Sequence, residues 1–427
     1  MEKLYVTGGT RLEGTVKISG SKNGALAIMA GALLGSGKTT LSNVPRIGDI
    51  STMVDTLRAL GAVIEMEGDR LTIDATNLTS CEAPYELVKR MRASFCVLGP
   101  LVARLGQAKV AMPGGCDIGA RPIDFHVKGI QALGAYVETD HGYVYAESEK
   151  LRGSQVYLDF PSAGATQHIM TAACLAEGVT VIHNAAAEPE VVDLAGFLIA
   201  MGGQVEGAGS TTVKITGVRE LRGTEYTIIP DRMEAATFGM AAAISRGDVT
   251  ITSVEPSHLE PVLPKLQEVG LRVDVRGDTI RYRMVDRPLA TDVMTMPHPG
   301  FPTDMQQPMV ALLSVAEGAS VITENVYERR FKYINELQRM GADIKQEGRT
   351  AVIKGVRQLT AAPVTATDLR AGAALVVASL AAEGRTEIAG TEHIDRGYEN
   401  LVQKLCSLGA DICRADSEKR GTAFCLA

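Results

Sequence analysis

One phrase recurs six times along this chain, and that periodicity limits the folds open to it more than any other feature. The strings ALLGSGKTTLSNV, LVARLGQAKVAM, ACLAEGVTVIHN, AAISRGDVTITSV, LLSVAEGASVITEN and ASLAAEGRTEIAG each run from an Ala/Leu-rich helix end through a glycine into a β-rich stretch. Their glycines are Gly37, Gly106, Gly178, Gly247, Gly318 and Gly384, spaced 66 to 72 residues apart. A second phrase (TLRALGAVIEM in the first copy, KLCSLGADICR in the last) follows each time. It carries Gly61, Gly134, Gly202, Gly270, Gly341 and Gly409, 23 to 28 residues further on. Turn glycines then come at Gly68, Gly142, Gly209, Gly277 and Gly348, and the last copy stretches this to Gly421.

The 427 residues therefore divide into six units of about 70. Each reads strand, helix, strand, helix, strand, strand. The helices carry a 3.6-residue apolar period and end in glycine, as a C-cap would. The strands are β-branched and close with glycine turns. This predicts an α/β repeat protein, split three units and three units near residue 230. With no Trp and 8 Phe, its core must be built from Ala, Val, Leu, Ile and Met. A net charge of −7 argues against a general nucleic-acid or membrane-surface binder. No apolar run reaches signal-peptide or membrane-span length. Seven scattered cysteines without a Cys-x-x-Cys pattern fit a reducing compartment. The seven histidines show no close pair in sequence, so no metal site is expected.

Residues that break a repeat are better functional candidates than those that obey it. Fourteen positions before each first-phrase glycine stand Asn23, Arg92, Gly164, Met233, Asp304 and Arg370, at or near the start of each unit's first helix. These starts (GSKNGAL, KRMRASF, PSAGATQ, PDRMEAA, PTDMQQP, TDLRAGA) are polar and differ from one another. Capping explains Ser162 and Thr303. It explains Lys22 and Arg370 poorly, because a cation opposes the helix dipole, whereas an anion bound at a helix start would use one. The second departure is MPGGCDIGARPIDFH, residues 112–126, present only in the second unit. Its glycines suit a lid, and Arg121 can lower the thiol pKa of Cys116. Cys174, in apolar helix, reads instead as a small core residue. GSGKTT at 35–40 imitates a phosphate loop, but Ala32 stands where that pattern needs glycine, and the helix precedes the loop rather than following it.

The sixfold unit together with SGSKNGAL, MRAS, PGGCDIGARPIDFH, FPTDMQ, ERRF, TDLRAG and HIDRGYEN resembles the UDP-N-acetylglucosamine 1-carboxyvinyltransferases, enolpyruvyl transferases of peptidoglycan synthesis. The likeness covers essentially the whole chain. It implies an α/β fold, an inside-out α/β barrel of six repeated units in two three-unit lobes. Residues 21–229 would form the N-terminal lobe, holding the UDP-sugar contacts and the Cys lid loop 112–126. Residues 1–20 and 230–427 would form the C-terminal lobe. The implied reaction moves the enolpyruvyl group of phosphoenolpyruvate to the 3-hydroxyl of UDP-N-acetylglucosamine and releases phosphate, through a tetrahedral ketal. It needs a base, an acid and cations for the anionic substrates.

The resemblance implies Cys116 as acid, Asp304 as base or hydroxyl-orienting residue, and Lys22 as a third catalytic group. It assigns phosphoenolpyruvate to Lys22, Asn23, Arg121, Arg330, Arg370 and Arg396. It assigns UDP-N-acetylglucosamine to Asn23, Arg92, Arg121, Pro122, Ile123, Asp124, Phe125, Ser162, Ala163, Gly164, Asp304 and Val326. Asp231, Asp368 and Asp395 would hold neighbouring arginines or act at the site. No cofactor, metal, nucleic acid, membrane or obligate protein partner is implied, and the location is cytoplasmic. One departure stands out: some family members carry Lys two residues before the Ser162 position, where this chain has Phe160. Two other readings remain open. One is a shikimate 3-phosphate enolpyruvyl transferase, which does not need the Cys loop. The other is a non-catalytic UDP-sugar sensor.

Overall fold

The computed structural model of the chain describes residues 2–113 and 123–416. Among them, residues up to Ser19 and from Pro230 onward cluster into one compact unit, the C-terminal unit. Those from Gly20 to Ile229 cluster into the N-terminal unit. Each contains three four-stranded sheets built on one plan. The first strand of a repeat pairs parallel with the second, the fourth runs antiparallel to the second, and the third lies at the edge. In the sheet of the second repeat these are Glu82–Ala83, Gln107–Ala111, Tyr143–Glu147 and Tyr136–Asp140.

Three strands come from far away in sequence. Glu225–Thr227 supplies the first strand of the first sheet, parallel to Lys38–Ser42. Glu13–Lys17 supplies that of the fourth, parallel to Asp248–Thr252. In the sixth sheet, Glu2–Thr7 takes the fourth strand's place between Arg385–Ala389 and Asp411–Asp416. The expected sixth hairpin through Gly421 lies outside the described residues. Its position in the sheet is filled by the chain's first strand.

Six first helices lie inside the units: α1 (Lys22–Gly31), α2 (Leu98–Leu105) and α3 (Ala163–Ala173) in the N-terminal unit, α4 (Arg232–Ile244), α5 (Gln306–Leu313) and α6 (Leu369–Ser379) in the C-terminal unit. Helices α4, α5 and α6 are buried along their whole length. A helix apolar all round must be surrounded by protein. Its small residues permit that: a Cβ on Gly372 of α6 would stand 2.5 Å from Cγ1 of Ile394. The sheets keep one wet face instead, as Lys38–Ser42 shows by burying Thr39 and Leu41 while Lys38 stays exposed. The described helices include none long and apolar enough to cross a membrane.

The glycine phrases divide in two. All six second-phrase glycines follow a helix by one cap residue and have φ between 87° and 103°, the left-handed C′ position. Of the first set, only Gly106 caps its helix directly, at φ 75°. Gly178, Gly318 and Gly384 come five residues after their helices end, at the turn into the next strand. At Gly247 the left-handed residue is Arg246 instead, φ 54°. That glycine is required by space, since a Cβ would meet the carbonyl oxygen of Leu12 at 2.5 Å.

Candidate active site

In the N-terminal unit two of the three polar helix starts carry a side-chain cap, and the Arg92 start does not. Ser21 Oγ accepts from Gly24 N–H at 3.2 Å and Ser162 Oγ from Ala165 N–H at 3.3 Å. Lys22, the first residue of α1, is held by Asp49, Nζ to Oδ2 3.2 Å, with both side chains largely buried. Asn23 beside it is exposed. Arg92 opens a 3-10 stretch, Arg92–Val97, and α2 starts only after it. Ile123 is buried, Asp124 exposed and Phe125 half-buried at the start of helix Asp124–Ala132. Ala163 and Gly164 are half-buried, and Phe160 is 37% exposed. Cys116, Arg121 and Pro122, with most of the expected lid, lie outside the described residues.

Two histidines distant in sequence meet here, which sequence spacing hid. His126 Nδ1 and His168 Nδ1 are 3.1 Å apart, and Gly99 N–H donates to His168 Nε2 at 2.7 Å. Since Nε2 of His168 accepts, its Nδ1 carries the proton and donates to His126, whose own proton is on Nε2. Burial pulls His168 down to about 3 and His126 well below its ordinary value. Both rings are neutral donors rather than cations. That of His126 packs against Gly164: a Cβ there would be 3.5 Å from Nε2. No group of three potential metal ligands occurs among the described residues.

The C-terminal unit brings together Asp304, Arg330 and Arg370. Asp304 Oδ1 accepts from Arg330 Nη2 at 2.7 Å and Oδ2 from Arg370 Nε at 3.1 Å. The two arginine side chains are 3% exposed, that of Asp304 27%. Burial alone would lower both guanidinium pKa values. For Arg330 the charges of Asp304 and Asp368 reverse that, and for Arg370 the adjoining Tyr398 hydroxyl and the charge of Asp304 do, so both are raised. The result is two buried, permanent cations sharing one carboxylate. Arg330 Nε and Arg370 Nη1 lack a hydrogen-bond partner among the described residues. A buried donor left unmade is costly, and two of them beside an ion pair suit an anionic ligand.

One expectation needs correction. Thr303 is not a cap. Pro302 holds that position without a side-chain bond, while Thr303 Oγ1 bonds Glu324 and Arg330. Asp231 and Asp368 act as N-caps, Asp231 accepting from Met233 and Glu234 N–H and Asp368 from Arg370 and Ala371 N–H. Asp395 holds an arginine, the first of its two expected roles, and that arginine is Arg414. Arg396, half-buried, ends the short helix Thr391–Asp395. Val326 is half-buried and its N–H is held by Glu324 at 2.8 Å. Cys174 is buried and its thiol pushed up to about 12 by that burial, so it is inert as expected.

Comparison with known proteins gives the family. Residues 6–405 match the family model described as EPSP synthase (3-phosphoshikimate 1-carboxyvinyltransferase). The chain is 53% identical, over 96% of its length and 99% of the relative's, to UDP-N-acetylglucosamine 1-carboxyvinyltransferase 1 of Caldanaerobacter subterraneus. It is 52% identical to the UDP-N-acetylglucosamine 1-carboxyvinyltransferase of Thermotoga petrophila, over 98% and 100%. Among solved structures, the enolpyruvyl transferase NikO from Streptomyces tendae superposes with a TM-score of 0.88 at 28% identity, covering 97% of this chain and 99% of that one. EPSP synthase from Acinetobacter baumannii, at 20% identity and TM-score 0.76, covering 97% and 100%, shares the fold. By sequence and by mixed α/β fold, the chain belongs to the enolpyruvyl transferase family, beside the UDP-N-acetylglucosamine 1-carboxyvinyltransferases.

Proposed function

We propose that the chain transfers the enolpyruvyl group of phosphoenolpyruvate to the 3-hydroxyl of UDP-N-acetylglucosamine, releasing phosphate, as a cytoplasmic step of peptidoglycan synthesis. The observation that carries this reading is the buried Arg330–Asp304–Arg370 cluster, whose two unpartnered donors suit an anion. It is supported by full-length relatives more than half identical and named for that acceptor. In this reading each unit is one three-repeat lobe of an inside-out α/β barrel, divided as 21–229 against 1–20 with 230–427.

The reaction is addition followed by elimination. The sugar O3 bonds to C2 of phosphoenolpyruvate while a proton goes to C3. The C2–O bond to phosphate then breaks as a proton leaves C3. Asp304 takes or orients the hydroxyl proton, Cys116 delivers the proton to C3, and Lys22 stabilises charge beside them. Lys22, Asn23, Arg121, Arg330, Arg370 and Arg396 hold phosphoenolpyruvate, whose oxygens take over the guanidinium donors that Asp304 holds in its absence. Arg92, Arg121 to Phe125, Ser162 to Gly164 and Val326 hold the UDP-sugar with Asn23. The start of α3 supplies free N–H groups to the diphosphate, with the neutral His126 ring packed beside Gly164.

Incubation with both substrates, followed by mass spectrometry of the nucleotide sugar, should show the enolpyruvyl adduct. An unmodified sugar with consumed phosphoenolpyruvate would contradict the acceptor. An epoxide phosphonate such as fosfomycin should alkylate Cys116, read by peptide mass mapping. An adduct elsewhere, or none, would remove the acid role from that thiol.

A further inference from the structure

Glu324 is fully buried and accepts four hydrogen bonds. Thr295 Oγ1 at 2.8 Å, Val326 N–H at 2.8 Å and Tyr327 N–H at 3.0 Å donate to Oε1. Thr303 Oγ1 donates to Oε2 at 2.9 Å. The repeat shows how unusual this is. The N–H of Glu324 bonds the carbonyl oxygen of Arg349 in its hairpin turn, as those of Val44, Ala185 and Val254 bond Asp69, Thr211 and Asp278 in theirs. In those three repeats the residue just past the strand, where Glu324 stands, is Asn43, Asn184 or Ser253 with positive φ, and Asn43 and Asn184 donate to the carbonyl oxygens of Ile228 and Leu158 at the end of the first strand. One repeat thus places an acceptor-only carboxylate where its siblings place Asn or Ser. Burying a charge without need is expensive.

The need lies one bond away. Thr303 has spent its only proton on Glu324, so its Oγ1 presents a lone pair, and Arg330 Nη1 donates to it at 2.8 Å. The other terminal nitrogen, Nη2, donates to Asp304 Oδ1 at 2.7 Å. The guanidinium is planar, so fixing one nitrogen fixes the direction of the other. The same carboxylate also fixes the backbone at Val326, the expected sugar contact.

We propose that Glu324 is a positioning residue for enolpyruvyl transfer, holding the Asp304 carboxylate through Thr303 and Arg330 and the sugar-contacting loop through Val326 N–H. This rests on the role proposed above for Asp304. A misplacement of about 1 Å at a reacting group costs on the order of 100-fold, so the expected losses are large.

The test compares kcat and the UDP-N-acetylglucosamine Kd in the full-length enzyme. Glu324→Gln keeps the shape but turns one acceptor into a donor. It should lower kcat about 10- to 100-fold and weaken the Kd severalfold. Thr303→Val removes the hydroxyl that joins Glu324 to Arg330 but leaves the Glu324 bonds to Val326 and Tyr327 N–H, so it should lower kcat similarly and leave the Kd within about twofold. Thr303→Ser should restore most of the kcat that Thr303→Val loses. A merely structural role would lower stability without this split between kcat and Kd. Should Glu324→Gln not fold, the Thr303 pair decides alone. Asp304→Asn separates the two readings. If it is impaired while Glu324→Gln and Thr303→Val turn over within threefold of the parent, the positioning role is overturned and the Asp304 role stands. If Asp304→Asn keeps full kcat, both fall.

Discussion

Asp304, Arg330 and Arg370 stand in three different sequence motifs, and only the fold joins them in one ion pair. Sequence could name each because each breaks its repeat or matches a family motif. It could not show that two guanidinium donors remain unmet there, since that depends on burial and angle. Glu324 was legible in principle: the strand ends SNV, HNA and TSV become TEN in the fifth unit. It lies at a strand end, away from the helix starts that carry other candidates. The His126–His168 contact was not legible, because 42 residues separate the two rings. It makes a prediction about pH. His168, pulled down to about 3 by burial, has a folded pKa below its unfolded value of about 6.5. Such a group contributes stability above the unfolded value and loses it as pH falls toward the folded one. Between pH 7 and 5 the parent should therefore lose on the order of 2 kcal/mol more than His168→Gln. Urea unfolding of both proteins at the two pH values checks this, and equal losses would contradict the neutral, buried assignment.

At the scale of elements, the second-phrase glycines were readable because a helix C-cap is a local rule: each has a positive φ one residue past its cap, and only Gly61 is in addition crowded, by Thr79. The first-phrase glycines answer to other constraints, close approach at Gly247 and the strand entry at Gly178. The two kinds should respond differently to one methyl group. Gly341, φ 87°, has no atom nearer than 3.5 Å to a built Cβ, so Gly341→Ala should cost only backbone strain, about 1 to 2 kcal/mol. Gly341→Asn should recover part of it. At Gly247 a Cβ would lie 2.5 Å from the carbonyl oxygen of Leu12, which is held by Asp248 N–H at the strand entry. Gly247→Ala should accordingly exceed about 4 kcal/mol or fail to fold. Thermal melts of the three variants decide it, and equal shifts at the two positions would contradict the distinction.

At the scale of the whole molecule, sequence showed six repeats and a break near residue 230, because periodicity survives without coordinates. Which strand completes which sheet was hidden, since pairing of Glu2–Thr7 with Asp411–Asp416 spans nearly the full chain. The expected site residues are divided between the units, with Lys22, Arg92 and Ser162 in one and Asp304, Arg330, Arg370 and Arg396 in the other. In an acidic chain of net charge −7, the buried Arg330 and Arg370 around Asp304 suit an anionic ligand. The direct test is phosphate release from phosphoenolpyruvate by the full-length protein, with UDP-N-acetylglucosamine or shikimate 3-phosphate as acceptor. The account predicts release with the UDP-sugar and none above background with shikimate 3-phosphate. Release only with shikimate 3-phosphate, or with neither while the UDP-sugar still raises the melting temperature, would contradict it.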